Sequence, residues 1–516
     1  MVPALSKATG MTTIRQDDFI QSIRNALQYI SYYHPIDFIE AMHEAYTREQ
    51  SPAARDAIAQ ILINSRLCAQ GHRPICQDTG IVTVFLEIGM QVRWDTSLDV
   101  EAMVNEAVSL AYRDPDNPLR ASIVADPAGA RRNTGDNTPA VIHMSMVAGD
   151  KVSITVAAKG GGSENKAKFT VLNPSDDLAD WVVSQVPGMG AGWCPPGILG
   201  IGVGGTAEKA MLLAKRALMA PVDIQALRAR GPANRAEQLR LEIFERVNQL
   251  GIGAQGLGGL TTVLDVKLLD YPTHAASKPV AIVPNCAATR HVHLELDGSG
   301  PVFPAPPPLS AWPELQWDSS GSRRVDLDQL DADAVADWQP GETLLLSGRL
   351  LTGRDAAHKR IVDTLNSGQA LPEGLDFRNR FIYYVGPVDP VDGEAVGPAG
   401  PTTATRMDKF TDALLEKTGL IGMIGKAERG PEAIDSIRRH RAVYLIATGG
   451  AAYLVARAVR SAKVLAYPEL GMEAVYEFIV EDLPVTVAVD SRGASVHQSG
   501  PALWQQRIAG VRVDTQ

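Results

Sequence analysis

The sequence predicts an α/β protein of two domains. Helix-spaced and strand-like apolar runs alternate along most of the chain. The length of 516 residues exceeds what one hydrophobic core usually holds. Between 298 and 340 the composition turns Pro-, Gly- and acid-rich, as in a linker. These three observations place one domain at 1–297, a Pro-rich linker at 298–340 and a shorter second domain at 341–516.

The elements follow in order. Residues 17–70 read as helices, with apolar positions at helical spacing through Phe19, Ile23, Ala26, Leu27 and Ile30, then Ile58, Ile61 and Leu62. Cys68, at the end of this region, reads as a small buried apolar side chain. Ile75-Cys76-Gln77-Asp78-Thr79-Gly80 then sets a thiol, an amide, a carboxyl and a hydroxyl side by side before a strand-like run, Ile81 to Met90. Val100 to Arg113 is another amphipathic helix. Arg120 lies in a loop after it, and Arg131 to Pro139 is polar and turn-forming. Val141 to Ala148 and Lys151 to Ala158 are β-like and joined by Gly149-Asp150, which predicts a type II′ hairpin. The second run leads into Lys159-Gly160-Gly161-Gly162-Ser163-Glu164-Asn165-Lys166. Its exposed backbone N–H groups suit an anion, and a plain flexible loop explains them equally well.

Cys194 sits in Gly192-Trp193-Cys194-Pro195-Pro196-Gly197, ahead of a helix over Ala207 to Leu218. Gly200, Gly202 and Gly205 match G-x-G-x-x-G, so a nucleotide-binding oxidoreductase is the alternative from a different class. That fingerprint needs a buried strand before it, and here Cys-Pro-Pro precedes. Arg235 to Leu250 is helical and Thr261 to Leu269 a strand. The loop His274 to Pro279 leads to a short buried strand, Val280 to Val283, that ends at Pro284-Asn285-Cys286. His274, His291 and His293 invite a zinc reading, but His291 and His293 alternate with apolar residues on one strand face. In the second half, strands at Thr343 to Leu346, Phe381 to Val385, Ala442 to Ala447, Glu477 to Val480 and Val485 to Val489 alternate with helices. Loops carrying Arg354, Thr402, Arg406 and Lys426 lie between them.

Net charge is −10 with no basic tract, which argues against nucleic acid or an anionic membrane as the main partner. No apolar run is long enough to span a bilayer. Met1 to Gly10 lacks the apolar centre of a secretory signal, Met11 offers an alternative start, and the cytoplasm is the expected compartment. Four cysteines are too few for a disulfide scaffold in so long a chain.

Cys76, Cys194 and Cys286 share one local setting, a Gly/Pro-bounded loop beside a helix or strand. Their wide spacing is not that of a zinc ribbon or a ferredoxin. Three thiolates on a [4Fe–4S] cluster leave one iron without a protein ligand, and an open iron is a Lewis acid able to ease C–O cleavage. Such a site needs cations for substrate carboxylates, for which Arg120, Arg354, Arg406 and Lys426 are candidates. It also needs groups that move protons, for which Asp78, Thr402 and His274 are candidates.

Seven motifs resemble class I, iron–sulfur-dependent fumarate hydratase over nearly the whole chain. They are Cys76 to Gly80, Asn133 to Ala140, Lys159 to Asn165, Cys194 to Gly197, Pro284 to Cys286, Thr352 to His358 and Gly400 to Met407. The resemblance implies an N-terminal α/β cluster-binding domain and a smaller C-terminal swivelling β/β/α domain. It implies a [4Fe–4S] cluster on Cys76, Cys194 and Cys286, and reversible hydration of fumarate to (S)-malate, a step of the tricarboxylic acid cycle. By the same resemblance Asp78 is the acid, Thr402 the base, and Gln77, Arg120, Gly161, His274, Arg354, Arg406 and Lys426 hold the substrate. A homodimer is implied as well. Mesaconate hydratase and tartrate dehydratase are the alternatives within the same chemistry; the single fused chain favours fumarate over tartrate, and mesaconate stays open because an extra methyl is decided by pocket shape.

Overall fold

The computed structural model describes residues 11–315, 317 and 319–510. The reading of Met1 to Gly10 as lacking a signal lies outside the described residues. The fold is mixed α/β. The chain groups into two compact units: unit one is Met1–Pro35, Asp78–Gly160 and Arg290–Pro308, and unit two is Ile36–Gln77, Gly161–Thr289 and Leu309–Gln516.

Unit one is built on a four-stranded sheet in the order His291–Leu296, Val152–Lys159, Ile81–Gly89, Val141–Val147. The helices Gln16–Tyr32 and Val100–Tyr112 contribute to its core. The predicted stripe Phe19, Ile23, Ala26, Leu27 and Ile30 is buried there, against Val152, Ile154 and Val156 from every second strand position. The expected hairpin at Gly149-Asp150 is corrected. Val141–Val147 and Val152–Lys159 do not pair with each other but flank Ile81–Gly89, the first parallel to it and the second antiparallel. The connection hugs the end of that central strand, where a Cβ at Gly89 would stand 2.5 Å from the Gly149 carbonyl oxygen. An almost fully buried central strand satisfies both of its edges this way, which a local hairpin could not do.

Unit two holds two sheets. The first runs in the order Val263–Tyr271, Gly197–Gly204, Lys278–Asn285, Lys168–Leu172. Leu199 and Ile201 face a core shared with the helices Leu178–Gln185 and Arg235–Asn248. Gly200 and Gly202 face the other way, against the helix Ala207–Ala217, where a Cβ would come within 2.1 Å of Ala214 O and 2.0 Å of Ala210 O. These glycines let a helix lie flat on a strand, which accounts for the G-x-G spacing without a nucleotide.

The second sheet has seven strands. Thr343–Thr352, Phe381–Tyr383, Gly422–Gly425, Val443–Ile446 and Val475–Val489 pair in succession, and the last pairs again with the first, closing a ring. Arg323–Asp326 and Val459–Ala466 attach outside it. The two strands expected at 477–480 and 485–489 are one 15-residue strand. Part of the segment read as linker belongs to this core: Arg323–Asp326 is a strand, and Val325, Leu327, Val335 and Trp338 are buried. Among the described residues, no helix is long and apolar enough to cross a membrane.

Candidate active site

In unit one, Asp78-Thr79-Gly80 opens the central strand. Gly80 has φ +95°, and a Cβ on it would lie 2.8 Å from the Ala158 carbonyl carbon, so only glycine fits. Its carbonyl accepts from Asn137 Nδ2 at 2.9 Å, while Asn137 Oδ1 accepts from Ser122 N at 2.8 Å. The Tyr112 hydroxyl donates to the carbonyls of Thr79 (2.9 Å) and Gly80 (3.2 Å). Thr79 Oγ1 donates to the Arg120 carbonyl at 2.6 Å, which ties Arg120 to the Asp78 turn. The polar run around Asn137 therefore acts as scaffolding for Asp78 and Arg120, both half-buried.

Unit two carries the three thiols. Cys76 lies behind the helix Pro52–Gly71, and its Sγ donates to Gln77 Oε1 at 3.3 Å. Gln77 Nε2 donates in turn to the Pro401 carbonyl at 3.1 Å. Next in sequence is Thr402, whose side chain is buried. Its N–H donates to Tyr384 O (2.7 Å), and its carbonyl accepts from Lys426 N (3.1 Å). Lys426 Nζ donates to Cys194 Sγ at 3.0 Å. A chain of contacts thus links Cys76, Gln77, Thr402, Lys426 and Cys194.

The Cys194 loop is held from several sides. Its carbonyl accepts from Ala287 N at 3.1 Å, joining it to the residue after Cys286. The Pro195 carbonyl accepts from Gln255 N (2.7 Å) and Nε2 (3.0 Å), and Gln255 Oε1 accepts from Gly449 N at 2.9 Å. A Cβ on Gly449 would stand 2.4 Å from Cys194 Sγ, so the Thr448-Gly449-Gly450 turn must be bare beside the thiol. The Gly161–Glu164 turn also approaches, since a Cβ on Gly162 would lie 3.4 Å from Lys426 Nζ. Glu428 Oε2 accepts from Ala191 N at 2.8 Å.

Electrostatics centre on Lys426. Burial works against its charge, yet Cys194, Cys76 and Cys286 all act on the same ammonium and hold it above the ordinary lysine range. Among the described residues, no three His, Cys, Asp or Glu side chains stand close enough to share one metal ion. A four-iron cluster takes one thiolate per iron and spreads its ligands wider. Lys426 and the bare Gly449 stand beside the Cys194 sulfur, and the Cys194 loop is tied to the residue after Cys286, an arrangement compatible with thiols from separate loops serving one cluster. Cys68 is fully buried within its helix, and burial pushes its thiol well up.

Arg354 caps the helix Asp355–Asn366. Its carbonyl accepts from both the N–H and Nδ1 of His358, each at 2.8 Å, and its Nε lies 3.6 Å from Glu473 Oε1. Arg406 is paired bidentately with Asp355. Burial would raise the Asp355 carboxyl, but Arg406 outweighs it and holds it below its usual value. His274 is placed differently. It is exposed, at the opposite end of the strand Lys278–Asn285 from Cys286, roughly 23 Å along the chain direction. Residues not singled out from sequence include Gln255, Glu428 and the buried Arg290. Gln255 and Glu428 act through partners distant in the chain, and only the glycine-rich setting of Gln255 gave any signal.

The family described as Fumarate hydratase (Fumerase) matches residues 20–295, and Fumarase C-terminus matches 298–500. "Fumarate hydratase class I, anaerobic" of Escherichia coli (strain K12) is 32% identical over 455 residues, 85% of this chain and 82% of its own. "Fumarate hydratase 2" of Leishmania major is 31% identical over 492 residues, 92% of this chain and 85% of its own. A Methanocaldococcus jannaschii protein provisionally named as the alpha subunit of L(+)-tartrate dehydratase is 34% identical over 292 residues, 54% of this chain and 98% of its own.

Proposed function

The chain belongs to the class I fumarate hydratase family, and from that premise we propose that it interconverts fumarate and (S)-malate with a [4Fe–4S] cluster held by Cys76, Cys194 and Cys286. The observation that carries the cluster reading is geometric: Lys426 Nζ donates to Cys194 Sγ at 3.0 Å, and the Cys194 carbonyl accepts at 3.1 Å from the N–H of Ala287, the residue after Cys286. When bound, such a cluster supplies Lewis acidity for C–O bond cleavage.

The remaining work falls to side chains. In the dehydration direction Asp78 gives a proton to the departing hydroxide, and in hydration it takes one from water. Thr402 takes the proton from the neighbouring carbon. A hydroxyl is a poor base unless cations lower its pKa, and Arg406, four residues on, is the group proposed to do so. Asp355, paired bidentately with Arg406, fixes the orientation of that guanidinium fork, and Glu473 lies 3.6 Å from Arg354 Nε. Gln77, Arg120, the Gly161 turn and Lys426 complete the set proposed to hold the dicarboxylate. The resemblance also assigns His274 to that set, and within one chain it lies at the other end of the strand from Cys286. The reading further takes the enzyme as a cytoplasmic homodimer with a swivelling C-terminal domain at 341–516, following an N-terminal domain at 1–297.

The test is anaerobic reconstitution with iron and sulfide, followed by a fumarate absorbance assay run from both fumarate and L-malate. Cluster-dependent interconversion supports the proposal. A chain that takes up no cluster anaerobically refutes the three-thiol assignment. Tartrate dehydration is the second reading, favoured by the 34% identity to the tartrate dehydratase alpha chain. A cluster-loaded enzyme that turns over L-tartrate but not fumarate would establish it.

A further inference from the structure

We propose that Arg290 is a positioning residue for Asp78, its buried guanidinium holding the carboxylate in place by charge beside the bare Cα of Gly160. This rests on the proton role of Asp78 proposed above.

All the residues concerned lie in unit one. Arg290 is 3% exposed, and its Nε, Nη1 and Nη2 are all buried with no hydrogen-bond partner. A guanidinium so placed is unfavourable unless a compensating charge is near. Gly160 shows where that charge is. A Cβ built there would lie 3.2 Å from Asp78 Oδ2 and 3.7 Å from Arg290 Nη2, so both groups border the space that a side chain would fill. Tyr112 reports the same arrangement from another direction. Burial pushes its hydroxyl up, the Arg290 charge pulls it down and the Asp78 charge pushes it up, so both charges reach one phenol.

The backbone explains the placement. Arg290 precedes the strand His291–Leu296, and Gly160 follows Val152–Lys159, its antiparallel partner. The Arg290 carbonyl accepts from Ala158 N at 3.1 Å, fixing the two strand ends together. Arg290 is also buried more deeply than the half-buried Asp78, so it backs the carboxylate and does not compete with it for substrate. A carboxylate that must pass a proton to one particular oxygen gains from being held, because a misplacement of about 1 Å can cost roughly 100-fold in rate.

The experiment measures kcat, the KM for L-malate and iron per chain in reconstituted wild type, R290Q, G160A, D78N and the double variants D78N/R290Q and D78N/G160A. R290Q is expected to keep its iron and a KM within about twofold, with kcat lowered by roughly 100-fold. In the D78N background it should add no further loss to the residual rate, since the two residues act as one unit. G160A, whose methyl crowds the same space, should show the same kcat-only loss and the same silence on D78N, and it carries the test if R290Q does not fold. Wild-type kcat in R290Q, or an equal loss in the presence and absence of the Asp78 carboxyl, overturns the inference. D78N turning over at the wild-type rate overturns instead the proton role of Asp78, and with it the ground of the inference.

Discussion

Glu394→Gln should unlatch the loop that carries Cys76. Arg73, three residues before that thiol, has a side chain only 2% exposed, and it is gripped bidentately. Its Nε donates to Glu394 Oε1 at 2.9 Å and its Nη2 to Oε2 at 3.0 Å, with a further bond to the Asp389 carbonyl at 2.9 Å. Oε2 also accepts from Val391 N at 3.1 Å. An amide in place of the carboxylate puts a donor against a donor in either orientation. One charge-assisted bond is lost, worth about 1.5–3 kcal/mol, and the guanidinium loses its counter-charge. Removing one partner of a buried pair costs about 3–5 kcal/mol. Glu394 keeps 14% exposure and glutamine keeps one acceptor, so the low end, about 3 kcal/mol, is expected. Urea unfolding followed by tryptophan fluorescence measures it. The double variant Arg73→Met, Glu394→Met should be less destabilised than Glu394→Gln alone, because no charge is left unpaired. A Glu394→Gln protein within about 0.5 kcal/mol of wild type, or a double variant worse than the single, would refute the reasoning.

Cys286→Ser should abolish cluster iron while Cys68→Ser leaves it intact, measured as iron per chain after reconstitution; normal iron in Cys286→Ser sinks the ligand assignment. Thr402→Val, which keeps the shape and removes the hydroxyl, should lower kcat by roughly 10²–10⁴ with KM little changed, and an unimpaired kcat removes Thr402 as the base. Burial lowers the His358 imidazole to about 4 from an ordinary 6.5. Below pH 6.5 the unfolded chain binds a proton that the folded chain refuses. Stability is therefore intact above pH 6.5 and falls towards pH 4, by about 3 kcal/mol in all. His358→Asn, which keeps a donor for the Arg354 carbonyl, should flatten that part of the stability profile, and an unchanged profile counts against it.

Much of this was legible in the sequence because local signals and tertiary needs agreed. The helix at Gln16–Tyr32 buries the stripe that its spacing announced. Gly449 beside Cys194 and Gly80 before the central strand are glycines because a Cβ at either would collide. The hairpin reading failed because a Gly-Asp turn signals a reversal locally but cannot say whether a third strand sits between the two arms. The linker reading missed Trp338 and Val325 because a few buried positions among acidic residues leave no period to detect. Arg290 escaped because Asp78 and Gly160, which border the same space, are far off in the chain, and nothing around it in sequence marks a site.

The assembly around Cys194 also sets a timetable for synthesis. Lys426 and Gly449, which touch or border its sulfur, come from the last part of the chain, and Gln77 is anchored on Pro401. At ordinary translation rates Cys76 leaves the ribosome roughly 20–70 s before Lys426 does. During that interval the early thiols have neither their cation nor their glycine wall. Under the proposed function, loading of a cluster would therefore belong to the finished chain, and a nascent or prematurely terminated one would present bare thiols to whatever oxidant or stray metal reached it first.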